Sequence, residues 1–353
     1  MSGQAARVVP DAPSSSDVAL AAPVGSQLAL PGLDGGAIEW VWMEEEGQVE
    51  VVESYQHTTV MLREMVSALA PKDGGLYVDA TLGGGGHTEG LLLANPNCRV
   101  VGFDRDPSAI AAAERRLARF EGRFELVRAP FGSIREELAQ LGVTRVDGLC
   151  ADLGVSSPQL DDASRGMSFR REGPVDMRMD PTSGETALEM MRNMREEELA
   201  DVIYRFGDER RSRRIAHSIK RAIQDGDLVT TLDLRRAIVR ATGPVRTGGV
   251  DPATRTFQAI RIAVNGELDE LSRLLEAMGG LLAAGGVGAV LSFHSLEDRL
   301  VKHAFQVRES WSPIWKKPLV AADEEQNMNP RARSAKLRAA VRVTPSDLPG
   351  AHT

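Results

Sequence analysis

The sequence predicts an α/β protein, a doubly wound parallel sheet interrupted by a helical insertion. Three observations carry that expectation. Short apolar runs of strand length alternate with helical patterns between Leu76 and Asp152, the rhythm of a parallel sheet with crossover helices. The first run, LYVD at 76–79, ends in an acid and opens into four consecutive glycines, Gly83 to Gly86, followed by His87. From Glu185 to about Ala263 the pattern is mostly helical, and a strand pattern returns only later.

Taken in order, residues 1–54 are rich in Ala, Pro, Ser and Gly and then turn acidic, the composition of a disordered extension. Within it Ile38, Trp40 and Trp42 alternate, as a short docking segment or a loosely packed tail would. The folded part is expected to begin near His57. Val60–Leu69 has helical spacing and stops before Pro71. Strand one is Leu76–Asp79, and a short helix through Leu91–Leu93 follows the glycines. Strand two is Arg99–Asp104. Asp106–Pro107 reads as an N-cap and first helical residue of a helix to about Phe120, with Ile110, Ala113, Leu117 and Phe120 inward. Strand three, Phe124–Arg128, a helix about Ser133–Leu141 and strand four, Val146–Ala151 with Asp152 at its tip, complete the alternation.

A long loop, Asp152–Pro181, comes next, and loops of that length in compact domains are usually functional or mobile. Thr186 and Glu189 fit a capping box, and apolar stripes such as Leu199, Val202, Ile203 and Phe206 mark helices beyond it. One long helix, about Asn265–Ala284, is expected to end at Gly285–Gly286 and lead into a strand, Val287–Phe293. A helix starts at Ser295, where Ser-x-x-Asp reads as its N-terminal cap. Ile314–Val320 and Ala339–Val343 are expected as edge strands.

Composition narrows the function. The 353 residues allow a large core and up to two domains, and no stretch is long and apolar enough to span a membrane. The two cysteines, Cys98 and Cys150, form no zinc-like cluster and no disulfide framework, so a reducing cytoplasmic setting is the default. A basic n-region and a long apolar h-region are both missing near the start, so a signal peptide is not expected. The net charge of −8, taken alone, argues against nucleic acid. However, residues 1–54 hold nine acids against the single base Arg7, so residues 55–353 sum to zero. Charge distribution is then a better guide than the total.

The glycine run alone is a weak sign, because such runs are often plain loops. GxxxxGK[ST] is absent, and the loop lacks the ending of a dinucleotide fingerprint. The combination is more informative. Asp79, Asp104 and Asp152 stand at the tips of strands one, two and four, and Asp104 lies 18 residues beyond Gly86, near the spacing of a ribose-binding acid. Each acid could be a solvated strand end, but the three together look like the cofactor edge of an S-adenosylmethionine-dependent methyltransferase.

The resemblance then becomes specific. DATLGGGGH at 79–87, DLGVSSPQLDD at 152–162, RGMSF at 165–169, DMRMD at 176–180, TFQAIRIAVNGEL at 256–268, SFHSLEDR at 292–299 and NPRARSAKL at 329–337 resemble the bacterial RsmH (MraW) family. The resemblance covers about His57 to Val343. The resemblance implies a Rossmann-like class I methyltransferase fold that methylates N4 of a decoding-centre (P-site) cytidine in 16S rRNA. It implies S-adenosylmethionine contacts at Gly85, Gly86, His87, Asp104, Phe131, Asp152 and Gln159. A cofactor domain is expected at residues 55–160 and 257–345, with a loop and helical insertion at 161–256 whose clustered cations make it the expected RNA-recognition domain. No metal is expected.

The cytosine N4 amine is a poor nucleophile, since its lone pair is delocalised into the ring. It must be aligned with the methyl group, given hydrogen-bond acceptors and relieved of a proton. Asp152 and the carbonyls of Ser156 and Ser157 are the candidates, with His294 as an auxiliary that could equally be structural. For RNA contact the cations are Arg210, Arg211, Arg213, Arg214, Lys220 and Arg221 in the insertion and Arg331, Arg333, Lys336 and Arg338 near the end. Lys316–Lys317 beside Trp311 and Trp315 add to them. A solvated helix face is the plain alternative for each cluster. Competing functions are a non-catalytic assembly factor that binds small-subunit RNA and a nicotinamide-dependent oxidoreductase. The oligomeric state is left open.

Overall fold

The first four apolar runs form strands at the expected positions. The computed structural model of the protein describes residues 59–243 and 251–344; the acidic segment 1–54, its Ile38–Trp42 run and the expected start at His57 lie outside them. In chain order the first half contains α1 (Leu62–Leu69), β1 (Leu76–Asp79), α2 (Gly86–Ala94), β2 (Arg99–Asp104), α3 (Pro107–Leu117), β3 (Phe124–Arg128), α4 (Ile134–Gln140) and β4 (Val146–Asp152). A short α5 (Ser157–Asp161) precedes the helical stretch: α6 (Ala187–Asn193), α7 (Glu196–Gly207), α8 (Ser212–Gln224), α9 (Thr231–Thr242) and α10 (Ala253–Asn265). The chain then returns through α11 (Glu267–Leu281), β5 (Leu282–Ser292), α12 (Ser295–Phe305), β6 (Trp311–Pro313), α13 (Asp323–Met328) and β7 (Lys336–Arg342).

Among the described residues the strands form one seven-stranded sheet, ordered β3-β2-β1-β4-β5-β7-β6. β1 to β5 are parallel, whereas β7 runs antiparallel to β5 and β6 antiparallel to β7. The expected parallel sheet therefore has an antiparallel edge. The chain order reverses between β1 and β4, which is where open α/β sheets bind ligands beyond the carboxyl ends of their strands.

Both faces of the central strands are covered, which explains their nearly continuous apolar runs. Val78, Val101, Leu149 and Val290 face α4, α11 and α12 in one cluster. Tyr77, Val100, Cys150 and Ala289 face α1, α2 and α3 in the other. Tyr77 is fully buried, and its hydroxyl accepts the Lys72 N–H at 2.9 Å. Its ring sits opposite Gly148 in the β1–β4 register, where an added Cβ would lie 2.7 Å from a ring carbon. Glycine at 148 makes room for the aromatic ring.

A third cluster belongs to the helical insertion. Met191, Leu199, Ile203, Ile215, Ile219, Leu234 and Ile238 pack together with Phe257 and Ile260 of α10. The cluster thus continues past residue 256, where the sequence placed the end of the insertion. The 152–181 loop is more ordered than expected. It carries α5 and a 3-10 turn at Ala163–Arg165, and Pro174 bridges Thr230 at the start of α9.

Two expectations in the second half need correction. The helix expected at about 265–284 is α11, which ends at Leu281; Gly266, with a left-handed φ of 59°, separates it from α10. Gly285–Gly286 do not end a helix; they lie inside β5, where Gly285 has φ 77°. Ile314–Val320 is not a strand, apart from a single bridge from Leu319 to Leu337, and the edge strand is Trp311–Pro313.

Candidate active site at the carboxyl edge of the sheet

The glycine run divides into two pairs with different tasks. Gly85, the N-cap of α2, has φ 79°, and a Cβ there would meet the Ala113 Cβ at 3.3 Å. A Cβ at Gly86 would lie 1.9 Å from Thr59 Oγ1. These two glycines let the loop pack tightly against α3 and the start of the described chain. Gly83 and Gly84 are different: a Cβ at Gly83 meets nothing closer than 3.9 Å, and one at Gly84 nothing within 4 Å. Their outer side is open to a ligand. The loop is anchored to strand two, since Leu82 N–H donates to Phe103 O and Gly83 N–H to Asp104 Oδ2, both at 2.8 Å.

The strand-tip acids converge on this loop. Asp104 accepts Gly83 N–H on one oxygen and Asp106 N–H on the other, each at 2.8 Å. Burial pushes its pKa up to about 6 against those two hydrogen bonds. Asp79 is buried, accepts Thr88 Oγ1–H at 2.8 Å, and is pushed upward chiefly by burial. Asp152 Oδ2 lies 3.5 Å from His87 Nε2, in ion-pair range but beyond hydrogen-bond geometry. Among the described residues, buried Asp152 Oδ1 and both His87 ring nitrogens have no hydrogen-bond partner. Burial pushes the His87 pKa down, but Asp152 and Asp79 push harder, so its net shift is upward. Such orphaned polar atoms mark a place where a polar ligand completes the structure.

Phe131 begins the 3-10 turn after β3, with the Arg105 guanidinium 6.0 Å from its ring centroid. It lines a cleft of about 20 Å³ with Thr81, Gly154, Met179, Glu267 and Glu297. Gln159 is also buried, but its amide is engaged: Oε1 accepts Ser156 N–H at 3.0 Å and Nε2 donates to Asp106 Oδ2 at 2.9 Å. Ser156 is the N-cap of α5 and Ser157 its first residue, and the Ser156 carbonyl accepts from Leu160 N–H and Arg331.

Asp106 caps α3 as expected, accepting Ser108 N–H at 3.0 Å. It is also a junction that the sequence did not reveal. Its Oδ2 accepts from Arg165 at 2.8 Å as well as from Gln159. Burial opposes its ionisation, but Ser108, Gln159 and the Arg165 guanidinium hold its carboxyl below the usual range. Arg165 further donates to the carbonyls of Arg178 and Met179. Asn265 closes the circuit, with Met179 N–H donating to its Oδ1 and its Nδ2 donating to Met177 O. The loop after β4 is thereby fastened to the tip of β2. No local spacing signals these pairs, because Asp106 and Arg165 lie 59 residues apart.

His294 is the N-cap of α12. Its Nδ1 accepts Glu297 N–H at 3.4 Å, and Glu297 accepts the N–H of Phe293 at 2.8 Å. The cap is therefore His294 with Glu297, not Ser295 with Asp298, and Asp298 instead pairs with Arg338 at 2.7 Å and Lys336 at 3.5 Å. Glu267, His294 and Glu297 could each aim one atom at a common point. But Arg261 grips both oxygens of Glu267 at 2.8 Å, which suits an ion pair and a capping box better than a cation.

The basic residues separate into two groups. Lys220 Nζ donates to the carbonyls of Met191, Arg192 and Met194 and so caps the end of α6. Arg211 donates to Thr242 O, Arg333 to Gln326 O, and Lys336 is held by Asp298. Arg210, Arg213, Arg214 and Arg221 are exposed on or next to α8.

A reversed sheet order, a glycine loop after strand one and acids at three strand tips define a Rossmann-like methyltransferase architecture. The sequence model of the MraW methylase family matches residues 54–343. The chain belongs to that family. A ribosomal RNA small subunit methyltransferase H from Sorangium cellulosum (strain So ce56) is 62% identical over 288 residues, 82% of this chain and 91% of that protein. One from Synechococcus elongatus is 50% identical over 293 residues, 83% of this chain and 96% of that protein. The crystal structure of an rRNA methylase from Streptococcus thermophilus matches 80% of this chain and 94% of that one, at 11% identity and a TM-score of 0.36. Among the described residues no helix is long and apolar enough to cross a membrane.

Proposed function

We propose that this protein methylates N4 of a P-site cytidine in 16S rRNA, using S-adenosylmethionine, on the small ribosomal subunit in the cytoplasm. The observation that carries the reading is the 62% identity to a small subunit rRNA methyltransferase H, extending across 91% of that relative. The site fits the cofactor: an open glycine face, a ribose-type acid and orphaned polar atoms occur together at one sheet edge.

S-adenosylmethionine supplies an electrophilic methyl group. Asp104, already oriented by two backbone N–H groups, has lone pairs left to accept from ribose hydroxyls. The Gly83–Gly84 backbone admits close approach, with Gly85 and Gly86 holding the loop in shape. Phe131 offers an apolar face for the adenine. Its cleft, of about 20 Å³, has room for roughly one water molecule.

Asp152 is the acceptor for the cytidine amine. Its buried Oδ1 has no partner among the described residues, so it would accept an N–H bond from the amine and then the proton that the amine sheds on methylation. His87, 3.5 Å away, stabilises the carboxylate charge before that transfer. The Ser156 carbonyl is already engaged, and His294 serves its helix as a cap. Asp152→Asn tests the assignment. It should lower kcat roughly 10²–10³-fold, whereas Asp104→Ala should mainly weaken cofactor binding. Wild-type kcat in Asp152→Asn would remove the residue from the chemistry.

A further inference from the structure

α8 and α9 lie side by side, tied by Ser218 Oγ–H donating to Ala237 O at 2.7 Å. Beside that tie is an open groove of about 610 Å³ lined by Arg213, Arg214, His217, Arg221 and Arg240. Its origin is the helical repeat. Arg213, His217 and Arg221 are spaced four apart and share one face of α8, while Ile215, Ala216, Ile219 and Ala222 fill the core on the other. Arg240, in the last turn of α9, supplies the opposite wall.

An amphipathic helix always has a polar face, so charge alone would mean little. What distinguishes this face is that arginines without an acid partner gather around one concavity. Several arginines elsewhere are matched: Arg116 and Arg119 with Glu89, Arg235 with Asp251, Arg236 with Asp233. Arg235 and Arg236 belong to the same helix as Arg240. Within the groove, Arg221 has Asp225 at 3.6 Å and His217 has Glu196 at 3.1 Å. Among the described residues no acid pairs with Arg213, Arg214 or Arg240. Like charges gathered around a concavity repel one another, and a polyanion relieves that repulsion.

Building on the rRNA-substrate reading above, we infer that this groove binds the sugar-phosphate backbone of the RNA, apart from the methylated base. No Phe, Tyr or Trp lines it to stack an unpaired base, so it contacts phosphates and is indifferent to sequence. From Arg213 to Arg221 the helix rises about 12 Å, enough to face roughly two or three phosphates. His217 and Arg240 thereby join the basic surface that the sequence indicated, and Lys220 and Arg211 leave it.

The test is binding of undermethylated small subunits by the full-length protein across a KCl series. Arg213→Ala/Arg214→Ala/Arg240→Ala should flatten the log-affinity against log-salt slope by roughly two to three. Affinity at low salt should fall roughly 10- to 100-fold, with S-adenosylmethionine affinity unchanged as evidence of folding. The corresponding triple Lys variant should keep the slope, as should Arg235→Ala/Arg236→Ala. An unchanged slope and affinity in the triple Ala variant would overturn the inference. Loss of binding in the triple Lys variant would overturn it too, by showing a structural rather than electrostatic role. If the wild-type protein transfers no methyl group to these subunits but the triple Ala variant loses RNA affinity, the proposed reaction fails and the groove stands.

Discussion

Removing the Asp106 carboxylate should loosen the loop after β4 and destabilise the whole protein. Asp106 is 1% exposed and accepts from Ser108, Gln159 and Arg165. The Arg165 side chain is itself only 12% exposed. In Asp106→Ala the guanidinium stays buried without its counter-charge, which costs roughly 3–5 kcal/mol. Loss of the α3 cap adds about 1 kcal/mol. Unfolding in urea followed by circular dichroism should therefore show a loss of about 4–6 kcal/mol. The decisive comparison is Asp106→Ala/Arg165→Met. Removing the stranded charge should recover about 2 kcal/mol relative to the sum of the single variants. The recovery is incomplete because the carbonyls of Arg178 and Met179 lose their donor. Strict additivity, or an Asp106→Ala loss below about 1 kcal/mol, would refute the junction.

Further outcomes follow from other parts of the site. Gly86→Ala forces its Cβ against Thr59 and should destabilise by about 1–3 kcal/mol, while Gly84→Ala, with open space beside it, should melt as the wild type does; equal melting temperatures for the two would contradict the division of the loop. S-adenosylmethionine affinity should fall as the pH drops below about 6, because protonated Asp104 loses acceptor capacity, and calorimetry from pH 5 to 8 showing constant affinity would count against the ribose assignment. Fold stability runs the other way at this residue. With its folded pKa raised, the Asp104 contribution is full below the ordinary carboxylate value and is lost as the pH rises through about 6. Lys220→Ala should lower stability by about 1–3 kcal/mol through the uncapped end of α6, yet leave the salt dependence of RNA binding intact; a flatter slope would return Lys220 to the RNA surface.

The parallel strands were legible because each is a short apolar run ending in a polar residue, and a buried strand needs little else. The glycine loop and the acids Asp79, Asp104 and Asp152 were legible for a related reason, since a ligand edge places them at strand tips. The end of α11 was not, because Leu282–Ala284 continue its apolar run and Gly285–Gly286 read as its stop, whereas all five residues belong to β5. The cap of α12 was ambiguous locally. Ser295-x-x-Asp298 and His294-x-x-Glu297 fit the same rule one residue apart, and the distant Arg338, by engaging Asp298, favours the second. The Asp106–Arg165 and Asn265–Met177 contacts join segments far apart in the chain, so local spacing could not show them. For the same reason composition counted Lys220 and Arg213 alike, though one caps a helix and the other lines a groove.

The most direct test gives the protein labelled S-adenosylmethionine and small ribosomal subunits from cells that lack it, then identifies the labelled nucleoside by mass spectrometry. Label should appear as N4-methylated cytidine at one position in 16S rRNA, and Asp152→Asn should reduce it strongly. Binding to the subunits without transfer, or label in a different nucleoside, would contradict the account.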